Sequence, residues 1–119
     1  MKNPAAEQFF KDKVTEVMNA SHANIHLKRA CKLWLDAVGT DKEEEMSKKL
    51  IARLEGDVLP MDELIWLLNL PGAKAHFGEE MVKAFLKEAE ERSAKGEQWC
   101  FCDACAPGRQ ILDRKDELV

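Results

Sequence analysis

Apolar residues recur every three or four positions along most of the chain, which is the spacing of amphipathic helices. The first such stripe is Ala6, Phe10, Val14 and Val17, with Phe9 at its edge. Asn3-Pro4 precedes it and suits a helix N-cap and first helical position. The pattern loosens at NASHAN (19–24), where Asn19, Ser21 and Asn24 offer caps or a turn. A second helix is predicted over about 23–38, with Leu27, Cys31, Trp34, Leu35 and Val38 as its apolar face and Gly39 as its stop. TDKE at 40–43 has capping-box spacing, with Thr40 as cap and Glu43 reaching back. The helix behind it carries Met46, Leu50, Ile51 and Leu54 and ends at Gly56. Pro60 then starts a short helix, MDELIWLLNL, apolar on every side and therefore expected to be the central, most buried element. Pro71-Gly72 ends it, and AKAHF can add one turn. A long last helix is predicted over 78–95, with Met81, Val82, Phe85, Leu86 and Ala89 inward and Gly96 closing it.

Only QWCFC (98–102) alternates as a strand would. The predicted fold is therefore all-α: a compact array of about five helices with a Cys-rich C-terminal segment. Ile111, Leu112 and Leu118 allow a short terminal helix. In domain terms, 1–96 reads as the helical domain and 97–119 as a Cys-rich extension packed on it.

Composition narrows the function. At 119 residues with 45% hydrophobic content, one domain can bury its own core. The net charge of −4 is spread through mixed Lys and Glu, so no basic stripe invites a phosphate backbone, and nucleic acid is not an expected partner. LIWLLNL is too short for a membrane span, and MKNPAAEQFF lacks the apolar run of a signal peptide. KDEL (115–118) is followed by Val119, whereas that retrieval signal is read at the chain end. The expected location is the cytoplasm, where clustered thiols point to metal or redox work before structural disulfides.

That chemistry sits in WCFCDACAPG (99–108), which holds three of the four cysteines within six residues. Cys100-x-Cys102-x-x-Cys105 places three soft ligands on one short loop, suited to zinc, copper(I) or an iron–sulfur cluster. A structural zinc site takes four ligands, so one more is needed. The candidates are His22, His26 and Cys31, or a residue of a second chain. His22 and His26 lie four apart, on one face if their segment is helical; Cys31 falls inside the apolar stripe, where a thiol packs as a small hydrophobe. His76 reads as structural, and Asp103 can either supply an oxygen or cap a turn. The same loop admits a redox alternative through Cys102-x-x-Cys105, although the βαβ setting of thioredoxin-like sites is missing. A Cys100–Cys102 disulfide would close a strained ring.

No Gly-rich phosphate loop and no nucleophile elbow occur, and DKEEE and KEAEER read as solvated helix faces, so an enzyme is disfavoured. HFGEEMVKAFL and WCFCDAC together resemble small bacterial helical proteins that end in a Cys-x-Cys-x-x-Cys segment. That resemblance implies a heat-shock or chaperone-like role. Zinc-thiolate redox chaperones are a looser likeness; they keep the Cys-x-Cys and Cys-x-x-Cys pairs separate, whereas here the two spacings overlap. Three functions are therefore expected in turn. The first is a thiolate metal site, zinc foremost, with a structural or sensing role. The second is a thiol-redox or stress-responsive chaperone-like protein, and the third an adaptor that engages a protein partner or itself without site chemistry.

Overall fold

A computed structural model of the chain describes residues 1–119 and contains seven α-helices and no strands. These are α1 (Glu7–Asn19), α2 (Ile25–Ala37), α3 (Glu43–Asp57), α4 (Met61–Leu68), α5 (Pro71–Phe77), α6 (Glu79–Ala94) and α7 (Cys105–Asp113). Single 3₁₀ turns at Pro4–Ala6 and Lys115–Glu117 flank the set. The AKAHF turn is thus the body of a separate helix, and of the terminal apolar residues Ile111 and Leu112 lie on α7 while Leu118 follows the last 3₁₀ turn. No helix is long and apolar enough to cross a membrane.

The helices group into two units. One comprises Met1–Val58 with Cys102–Val119, and the other is the intervening Leu59–Phe101. In the first unit, α2 packs on α1 and α3, and α7 on the same two helices. Its core is the set of stripes read from the sequence: Phe10, Val14 and Val17 of α1, Trp34 and Cys31 of α2, Leu50 and Leu54 of α3, and Ile111 of α7 are all fully buried. The one buried polar side chain, Ser47, accepts the Trp34 indole N–H at 2.9 Å, so this core leaves no indole donor unmatched. Gly108 lets α7 approach α3 closely, because a Cβ there would stand 3.1 Å from both Leu54 Cδ2 and Val58 Cγ2.

Helix starts depart from expectation where side chains found distant partners. Asn3 does not cap; its amide donates to Glu117 at 2.7 Å. Thr40 is not the cap of α3 either. Its hydroxyl donates to Ala37 O, while Glu43 accepts the Gly39 N–H at 3.1 Å and pairs with the chain's N-terminal ammonium. Asn24 does cap α2, accepting the Leu27 N–H at 2.9 Å. Helix α2 therefore begins at Ile25, and His22 lies in the preceding turn. The spacing of four between His22 and His26 consequently does not make a shared helical face.

In the second unit α4 and α5 pack on α6. Here the expected burial of the fourth helix is corrected. Met61, Leu64 and Leu68 are buried, but Trp66 is 62% exposed and Leu70 also faces outward. An eight-residue helix has one inward stripe, and this unit has only α6 and α5 to cover it. Met81 of α6, expected inward, is 54% exposed, while Val82 and Ala89 are buried. Helix α6 ends at Ala94, and Gly96 just beyond it, whose φ of +90° suits glycine, turns the chain into residues 97–101. QWCFC makes no strand of its own; a single antiparallel bridge joins Pro60 and Trp99, with Met61 N–H donating to Gln98 O at 2.7 Å and Cys100 N–H to Leu59 O at 2.8 Å.

Candidate metal centre

Cys100, Cys102 and Cys105 bring their sulfurs within 4.8 Å of one another. All four cysteines are present as thiols. Cys100 and Cys105 are buried and Cys102 is half-buried, so the group is sheltered from bulk water but still reachable.

The backbone on each side is held locally. Upstream, the Leu59–Cys100 hydrogen bond fixes the Cys100 backbone. Phe101 then stacks on Phe85, ring centroids 4.6 Å apart and planes 25° from parallel, with the Arg92 guanidinium 4.3 Å from the Phe101 ring. Downstream, α7 starts at Cys105, and Ile111 and Leu112 bury its inner face. The first turn of a helix leaves backbone N–H groups without a helical acceptor. Cys102 Sγ takes one of them, the Cys105 N–H at 3.3 Å, and the Cys105 thiol donates to Asp57 O at 3.8 Å.

Between these two cysteines, Asp103 reaches the turn that joins α1 and α2. Its carboxylate accepts four hydrogen bonds: from Ser21 N–H at 2.7 Å, Ser21 Oγ at 2.6 Å, His22 N–H at 3.1 Å and the His22 ring through Nδ1 at 3.0 Å. Burial pushes the Asp103 carboxyl up, but these bonds together outweigh it and hold the group well below the ordinary carboxylate range. An ionised carboxylate only accepts, so the Nδ1 contact is a donation from the His22 ring. Asp103 therefore ends a turn, as one of its two anticipated roles has it, and the turn is one 82 residues away in sequence.

The remaining candidates are dispersed. Cys31 is fully buried in α2, and burial pushes its thiol up to about 12, partly offset by a backbone hydrogen bond. His26 is exposed one residue into α2, and His76 is exposed on α5. His22, by contrast, lines a small cavity of about 70 Å³ together with Ala104, Cys105 and Asp57. Sequence reasoning identified the three thiols but missed the Asp103 clasp, since nothing local to DAC signals a partner at Ser21-His22. Comparison of the chain with protein-family models, curated proteins and solved structures gives no match.

Proposed function

We propose that this protein holds a metal ion, zinc foremost, on Cys100, Cys102 and Cys105, and that the ion serves a structural or sensing role in a cytoplasmic helical protein. The observation that carries the reading is the mutual approach of the three sulfurs to within 4.8 Å. Two thiolates on one tetrahedral zinc, each about 2.3 Å from the ion, stand about 3.8 Å apart. The loop thus needs to tighten by at most about an ångström per pair to close on the ion. Soft thiolates favour zinc, copper(I) or iron over calcium or magnesium. The ion would couple residues 100–105 into one rigid piece, so that the free energy of binding becomes free energy of local order. Occupancy would then report metal availability through the order of this segment.

Metal analysis of protein purified without chelator tests the proposal. One ion per chain, lost when all three cysteines are changed to serine, is the expected result. Sub-stoichiometric metal that survives the triple change overturns it.

One observation favours a second reading, a thiol switch. Cys102 accepts the Cys105 N–H at the start of α7, the setting of a nucleophilic thiolate. Oxidation would join the two sulfurs as a disulfide, with two electrons and the two thiol protons passing to a disulfide or peroxide oxidant, which leaves as two thiols or as water. Differential alkylation decides it, and thiols that remain reduced under mild oxidant exclude the switch.

A further inference from the structure

We propose that His22 is the fourth ligand of the ion held by Cys100, Cys102 and Cys105, and that Asp103 is the carboxylate that orients it; the inference rests on the metal reading above. A structural zinc needs one donor beyond the three thiolates, and three observations direct the choice to His22. It shares a cavity with Cys105 and Ala104 on the loop side. Its Nδ1 lies 3.0 Å from Asp103 Oδ1, and with Nδ1 donating there Nε2 would be the coordinating nitrogen. Metal-bound histidines characteristically give their other ring N–H to a carboxylate, an arrangement that raises ligand basicity and locks ring orientation. Here the carboxylate belongs to the ligand loop itself, one residue after Cys102 and two before Cys105.

The other nearby donors are placed less well for this ion. Asp103 spends both oxygens on the Ser21-His22 turn. Asp57, which also lines the cavity, is gripped by Arg53 through Nε at 2.7 Å and Nη2 at 3.0 Å. Cys31 is sealed in the core. His26 does not line the cavity with Cys105. The His22 ring stands outside the tight sulfur group, so capture of an ion draws the 20–24 turn toward the loop. The Asp103 hydrogen bonds make loop and turn move together, and Asp103 is in this sense a positioning residue.

Cobalt(II) titration followed by its visible absorption, with competition against zinc, tests the assignment in the full chain. The wild type should give the intense bands of a tetrahedral site with three sulfurs and one nitrogen. His22→Ala should weaken cobalt binding at least about tenfold and alter the bands, while His26→Ala leaves both unchanged. Asp103→Asn should weaken binding by about 10–100-fold, the range for lost outer-shell partners. His22→Cys should restore tight binding, with added sulfur-to-cobalt charge transfer, a rescue that a merely structural His22 would not give. If wild-type protein binds and requires the three cysteines, yet His22→Ala and His22→Cys both match it in affinity and spectrum, His22 is not a ligand and only this assignment falls. Failure of the wild type to bind cobalt or zinc overturns the metal reading and the assignment together.

Discussion

Replacing Asp103 with alanine removes the acceptor of four hydrogen bonds that tie the cysteine loop to the α1–α2 turn. Hydrogen bonds to a charged acceptor contribute about 1.5–3 kcal/mol each when sheltered. Asp103 is 44% exposed and His22 40%, so water replaces much of what is lost and solvent screens the ion-pair component. Two of the four donors are backbone N–H groups at a turn, for which loss of a capping side chain costs about 0.5–2 kcal/mol. The expected destabilisation of metal-free protein is therefore about 1–2 kcal/mol, with Asp103→Asn intermediate. Urea titration in chelator should place the midpoint roughly 1 M lower, given slopes of about 1–3 kcal/mol per molar for small domains. The pH dependence follows from the depressed carboxyl. Its contribution is fully present above the ordinary carboxylate range and is lost as pH falls toward the folded value, so wild type and variant should converge in acid. A midpoint shift worth less than about 0.5 kcal/mol, or a difference that widens on acidification, would refute the reasoning.

Other outcomes follow from the rest of the molecule. Ser47→Ala leaves the Trp34 indole N–H buried without its acceptor and should cost about 1–3 kcal/mol by the same titration; a change within about 0.5 kcal/mol contradicts it. Cys31, with its thiol pushed up to about 12 and no exposed surface, should resist iodoacetamide at pH 8 in native protein and react once unfolded in urea, whereas labelling as fast as Cys102 would place it outside the core. The Glu117 carboxyl is held down to about 2 by hydrogen bonds from Arg114 and then Asn3, against a small opposing effect of burial. Its stabilisation is present above about 4.5, the ordinary value, and lost toward about 2, so Glu117→Gln should flatten the acid limb of a stability–pH profile in that window. An unchanged limb argues against the Arg114–Glu117 pairing.

How far the chain reads without its structure depends on the range of the interaction. Phe10, Val14, Trp34, Leu50 and Leu54 were readable because helical periodicity and burial are the same fact seen twice. Cys31 followed from its place in such a stripe. The fourth helix misled because an all-apolar segment says that it is sticky, not how many neighbours are present to cover it; Trp66 faces outward. The Thr40 capping box failed because Glu43 found the nearby Gly39 N–H and the distant N-terminal ammonium instead. The partners of Asp103 could not be read, because Ser21 and His22 are far away in sequence and only folding brings them together. The thiols were visible as a motif, and the structure adds their convergence.

Cys100, Cys102 and Cys105 are proposed to hold one metal ion together. Native mass spectrometry of the protein as purified, beside the variant with all three cysteines changed to serine, tests it most directly. Wild-type protein should be heavier by one zinc less the displaced thiol protons and return to the metal-free mass in chelator, and the triple variant should lack that increment. Wild-type protein at its bare sequence mass after zinc has been supplied and excess removed would contradict it.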